Sequence, residues 1–184
     1  IERIINEPSK RIDDNGNELE NVVVHEPVSL PSLDEKYKKW SVVGKYRRSK
    51  PNFHLIEGTN NNYRSAEPKN KKDFYSYLNK KYNIKTIITL NSAKHGSAIT
   101  GAGLKHIVVP LGTKPPSNSD WGKIKDAMIE GNCLLHCTHG ADRTGGVIGR
   151  FRVEVQGYSS QEAHKEALNY GFKKHTHPGW GKGP

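Results

Sequence analysis

Cys133-Leu134-Leu135-His136-Cys137-Thr138-His139-Gly140-Ala141-Asp142-Arg143-Thr144-Gly145-Gly146 joins two kinds of local structure. The apolar run at its start predicts a buried strand, and Val147-Ile148-Gly149-Arg150-Phe151 after it predicts a helix. A cysteine therefore stands where a strand ends and an arginine where a helix begins, with a tight turn between them. Successive backbone N–H groups of such a turn, Thr138 through Arg143, point into one concavity, and the positive end of the helix adds to the same field. Arg143 can close the ring with two parallel hydrogen bonds to a phosphate-like oxyanion. A thiol in that field gives up its proton readily, so Cys137 is the expected nucleophile.

The order His-Cys, five residues, Arg-Thr resembles the signature loop of the cysteine-based protein tyrosine phosphatases. Its filling, with Gln156-Gly157-Tyr158-Ser159 and Ala163 further on, is similar to the small dual-specificity-like phosphatases of bacteria and viruses. Asn62-Tyr63-Arg64-Ser65-Ala66-Glu67-Pro68 resembles the segment that opens many of them, with Glu67 as the departure. The resemblance implies one α/β domain, a mostly parallel central sheet flanked by helices, and hydrolysis of phosphotyrosine, or also of phosphoserine and phosphothreonine, through a phosphocysteine. It implies that His136 orients the loop, that Thr144 eases departure of the sulfur, and that an aspartate on a neighbouring loop protonates the leaving oxygen. No cofactor is expected.

Asp120 is the first acid upstream of the loop that could sit over it, because residues 74–119 contain neither Asp nor Glu. Its rival role is structural: Ser117-Asn118-Ser119-Asp120 also reads as a helix start with an acid favouring the dipole. Thr144 has a rival role as a helix cap. Thr138, His139, Gly140, Ala141 and Asp142 form the expected phosphate cradle, and the side chains of His139 and Asp142 either tune specificity or face solvent. Arg64 either buttresses the site or donates a structural salt bridge. Inositol polyphosphates or phosphoinositides are the alternative substrates, with Lys94, His95, Lys105, His106 and Lys114 able to ring a highly charged ligand. A module that only binds phosphate or RNA is the remaining alternative, and the intact pair Cys137 and Arg143 speaks against a retired site.

His136, Cys137, His139, His164, His175 and His177 are conceivable metal ligands. A His-Cys-x-His run at a strand end sends neighbours to opposite faces, so no metal site is assigned. Cys133 lies about 13 Å from Cys137 along a strand, too far for a disulfide, and reads as a small core residue.

The 184 residues carry a net charge of +10 and 33% hydrophobic residues, so the expectation is a modest core beneath a basic, polyanion-attracting surface. No apolar run reaches membrane-spanning length, and a soluble protein is expected. Ile1 stands first, compatible with a removed leader; a bacterial periplasmic address follows in that case and a cytoplasmic one otherwise.

Residues 1–52 are read as an arm, extended or partly disordered, 53–172 as the phosphatase domain and 173–184 as a basic tail. Lys36 to Lys50 holds seven basic residues and no acid, interleaved with Tyr37, Trp40 and Tyr46, either a solvated face or a polyanion-docking strip. Within the domain, strands are expected at 53–58, 84–90, 104–109 and before Cys137. Helices are expected at 69–82, from near Asp120 to Glu130, from Thr144 to Gly157, and from Ser159-Ser160-Gln161-Glu162 to near Gly171. Phe74, Tyr77 and Leu78 are expected in the core, as are Ile124, Met128, Val147, Ile148, Phe151 and Val155. Leu111 to Asn118 is a loop.

Overall fold

The computed structural model describes residues 11–12, 15–19, 21–28, 33–37, 52–112 and 114–173. Most of the basic strip therefore lies outside the described residues, as do His175 and His177. A small antiparallel pair, β1 (Arg11–Ile12) and β2 (Glu18–Leu19), belongs to the arm. The main sheet has five strands: β3 (His54–Ile56), β4 (Asn62–Ser65), β5 (Thr86–Thr89), β6 (Lys105–Val108) and β7 (Cys133–His136). Their spatial order is β3-β4-β7-β5-β6, antiparallel between β3 and β4 and parallel elsewhere. The strand carrying the cysteine is thus central, paired on both sides.

The helices are α1 (Lys72–Tyr82), α2 (Gly96–Gly101), α3 (Asn118–Glu130), α4 (Asp142–Gln156) and α5 (Ser160–Asn169). Alternation along the strands sends side chains to two cores. Ile87 and Leu134 pack with Phe74 and Leu78 of α1 and Ile99 of α2, whereas Ile88 and Leu135 meet Ile124 and Met128 of α3 and Val147, Ile148 and Phe151 of α4. Buried Asn62 stitches the second core: its amide donates to the Met128 carbonyl and its oxygen accepts from the Cys133 N–H.

Several boundaries differ from the sequence reading. Helix α1 begins at Lys72 rather than 69, because Lys71 is still extended after Pro68. Helix α4 starts two residues earlier than expected, at Asp142, and α2 was not anticipated. Tyr77 is only half-buried, stacked at 4.0 Å on Tyr37 from the arm. Val155, in the last turn of α4, is 40% exposed. Helix α5 has the expected capping box between Ser159 and Glu162, and α4 closes on Gly157 in the left-handed conformation. No helix among the described residues is long and apolar enough to cross a membrane.

Candidate active site

Parallel register builds the site. Ser65 of β4 and Thr89 of β5 both stand opposite His136 of β7, so the three strands leave the sheet at one level. Two residues further on, Glu67, Asn91 and Thr138 are brought together at that edge. The Glu67 N–H donates to the Thr138 carbonyl at 3.2 Å. The Asn91 side-chain amide donates both to Glu67 Oε1 (2.8 Å) and to Thr138 Oγ1 (3.2 Å).

Beyond Thr138 the chain reverses through Gly140, whose φ is +71°. A Cβ there would lie 2.4 Å from the Ser65 carbonyl carbon and 2.7 Å from the Ala66 nitrogen, so the turn needs glycine for both conformation and space. Gly140→Ala is therefore expected to displace the turn and lower affinity for orthovanadate about tenfold or more. Calorimetric titration with that anion checks it, and unchanged affinity would show that the turn tolerates the shift. Arg64 holds the turn from below. Its Nη2 donates to the Gly140 carbonyl at 3.0 Å and its guanidinium lies over the Tyr170 ring at 4.3 Å. Among the described residues it has no carboxylate partner, so it buttresses rather than forming the salt bridge considered from sequence. Burial lowers its pKa to about 10.

Cys137 is buried in the turn, and the Thr144 hydroxyl donates to its Sγ at 3.1 Å. Helix α4 starts from Ala141 with no side-chain cap, which leaves its first-turn N–H groups without a side-chain acceptor. Arg143 is aimed by two bonds, Nη1 to the Leu111 carbonyl and Nη2 to Thr138 Oγ1, each 3.2 Å. His136 is fully buried, and burial lowers its pKa to about 3. The neutral ring can accept from the Thr89 hydroxyl through Nε2 (2.9 Å) and donate from Nδ1 toward the Cys137 carbonyl (3.4 Å). It lies behind the loop.

The remaining candidates are arranged differently. His139 is exposed, and its carbonyl accepts from Asn52 Nδ2 at 3.0 Å, tying the end of the arm to the turn. The Asp142 carboxylate accepts from the Lys173 N–H at 2.8 Å. Asp120 sits in the first turn of α3 with its N–H on Ser117 Oγ. Its side chain is 41% exposed and lies 3.9 Å from Lys123. No described hydrogen bond or ion pair joins it to residues 136–146. Cys133 is a buried free thiol pointing at the Ala127 carbonyl, and burial pushes its pKa up to about 12. Asn91, Glu67 and Leu111 are the site residues that sequence reading missed. Only the register of the parallel strands could have found the first two.

No family model matches the chain. A dual specificity protein phosphatase, TpbA of Pseudomonas aeruginosa, is 40% identical over 50 residues, which are 27% of this chain and 23% of that protein. The match thus spans about a quarter of the curated relative's length. Among solved structures, P. aeruginosa TpbA in complex with phosphotyrosine is 21% identical with a TM-score of 0.54, covering 76% of this chain and 84% of the other. The catalytic core of the PP-IP phosphatase SIW14 from S. cerevisiae, in complex with citrate, is 23% identical with a TM-score of 0.55, covering 67% and 77%. The fold is that of the cysteine-based protein tyrosine phosphatases of the small dual-specificity-like type.

Proposed function

We propose that this chain, on its phosphatase fold, hydrolyses phosphate monoesters through a phosphocysteine on Cys137, with phosphotyrosine in proteins as substrate. The observation that carries the reading is the thiol of Cys137 receiving the Thr144 hydroxyl at 3.1 Å inside a turn that leads into a helix with no side-chain cap and beside the aimed fork of Arg143. In the first step the sulfur attacks phosphorus and the P–O bond to the leaving group breaks. The N–H groups of Thr138 to Arg143 and the Arg143 guanidinium hold the equatorial oxygens, where charge is stabilised in the transition state. In the second step water attacks phosphorus and the sulfur departs, its returning negative charge met by the Thr144 hydroxyl. His136, neutral and behind the loop, fixes the backbone at Cys137. Asp120 remains the sequence's candidate for protonating the leaving oxygen.

Thr144→Ala is expected to slow the second step more than the first, by about tenfold or more. Rapid-quench kinetics would then show a burst of leaving group followed by slow phosphate release, and no burst would mean that Thr144 does not serve the departing sulfur. Phosphotyrosine is favoured because the relatives include a dual specificity protein phosphatase and a structure holding phosphotyrosine. Inositol polyphosphates are the second reading, supported by the likeness to a PP-IP phosphatase and by the exposed Lys94, Lys105 and Lys114. The two histidines that sequence reading added to that ring are turned inward. His95 bonds the Tyr75 hydroxyl, His106 bonds Thr89, and burial lowers the pKa of both. Phosphate release from a phosphotyrosine peptide and from inositol hexakisphosphate, measured side by side, tests the reading. Turnover of the peptide supports it, and turnover of the inositol phosphate alone replaces it with the second.

A further inference from the structure

We propose that Glu67 is the acid and base of this reaction, a claim that rests on the phosphatase reading above. The leaving oxygen needs a proton, and the turn around Cys137 offers none to spare. The described carboxylates near α4 and α5 are engaged elsewhere. Asp142 binds the Lys173 N–H, Glu154 binds Arg150 and Trp121, Glu162 caps α5, and Glu166 is buried against Arg152. Asp120 lies in the first turn of α3, its N–H on the Ser117 cap and its carboxylate beside Lys123, with no described bond to the loop. Apart from Asp142, which is part of the loop and turned to the Lys173 N–H, Glu67 is the described carboxylate bonded into the network of the loop.

Its placement follows from the sheet. Glu67 stands two residues past Ser65, and Thr138 two past the paired His136, so the parallel register carries the glutamate to the flank of the loop. The Glu67 N–H bond to the Thr138 carbonyl fixes its backbone there. Oε1 is anchored by Asn91, which also holds Thr138 Oγ1, so the carboxylate lies no farther than about 6 Å from that hydroxyl. Arg143 donates to the same hydroxyl, so a phosphate gripped by Arg143 and the turn lies beside Glu67.

Oε2 is left to carry the proton. Its described neighbour is His95 Nε2 at 3.8 Å, beyond hydrogen-bond distance, and burial holds that imidazole toward its neutral form. No lysine or arginine pairs with Glu67 among the described residues. The side chain is 23% exposed, open enough to meet a substrate. In the first step the Glu67 carboxyl gives its proton to the departing oxygen as the P–O bond breaks and the S–P bond forms. In the second step the carboxylate takes a proton from the attacking water as the S–P bond breaks, which restores the starting state.

The test compares wild type with Glu67→Gln, Glu67→Ala and Asp120→Asn on a phosphotyrosine peptide and on dinitrophenyl phosphate, whose leaving group needs no proton. Phosphocysteine formation is followed by single-turnover quench. Glu67→Gln is expected to lower the formation rate on the peptide about 100-fold and to leave the dinitrophenyl ester within a few-fold of wild type. Gln keeps an oxygen for Asn91 and cannot donate an acidic proton. Full peptide activity in Glu67→Gln with loss only in Glu67→Ala would reduce Glu67 to a positioning residue and overturn the proposal. Equal losses on both esters, or the leaving-group-dependent loss appearing in Asp120→Asn instead, would also overturn it. Failure of the phosphatase reading looks different, because wild type would then turn over neither ester.

Discussion

Cys137→Ser is expected to lower phosphate release from a phosphotyrosine peptide by at least about 10⁴-fold, the scale of loss when a nucleophile is removed from a covalent mechanism. The serine oxygen would occupy nearly the same place, next to the Thr144 hydroxyl and within the turn of N–H groups. A serine hydroxyl is a far weaker nucleophile than a cysteine thiol, so the cradle stays and the attacking group goes. Affinity for the peptide should therefore stay within a few-fold of wild type. Steady-state phosphate release together with calorimetric binding checks both halves. Retained turnover would remove Cys137 from the chemistry. Joint loss of turnover and binding would mean that the substitution collapsed the turn.

Glu166→Ala is expected to cost about 3–5 kcal/mol of stability, lowering the thermal midpoint by about 10 °C for a domain of this size. Arg152 and Glu166 are 2% and 3% exposed and share a bond of 2.8 Å across the α4–α5 contact. His25 completes the knot from the arm, its N–H and Nδ1 both on Glu166 Oε1 at 3.1 and 2.7 Å. Removing Glu166 strands a buried guanidinium and releases residues 21–28, which are otherwise held by Asn169 on the His25 carbonyl and Tyr158 on the Val23 carbonyl. The double variant Arg152→Met, Glu166→Ala should recover much of the loss, since no charge is then left unpaired. Thermal unfolding of both variants decides. A shift of less than about 2 °C for the single variant would show that the pair contributes little.

The fold was legible where its signals were local. A β-branched run, an apolar stripe at helical spacing and a glycine stop placed β5, α3 and α4 because short segments choose such states from their own sequence. The strand, turn and helix around Cys137 was legible for the same reason, and so was the candidate nucleophile with Arg143. Contacts across long stretches of chain were not. His25 meets Glu166 across 141 residues, and nothing in the sequence near either one announces the other. Helix α2 is six residues containing two glycines, too short and too poor a helix former to read. Arg64 belongs to a recognisable motif, yet its partner is the Gly140 carbonyl, which only the folded turn brings near.

Glu67 and Asn91 show the boundary most clearly. Each follows a strand that could be read from its residues, but their meeting at Thr138 depends on which strands pair and in what register. The candidate acid chosen by order along the chain, Asp120, came from a rule about sequence position. The sheet brings a different carboxylate to the loop.

The most direct measurement is mass spectrometry of the protein quenched in acid within milliseconds of mixing with a phosphotyrosine peptide. A phosphate adduct is expected on the proteolytic fragment containing Cys137, absent from Cys137→Ser and longer-lived in Thr144→Ala. Steady phosphate release with no adduct on Cys137 in any of the three proteins would contradict it.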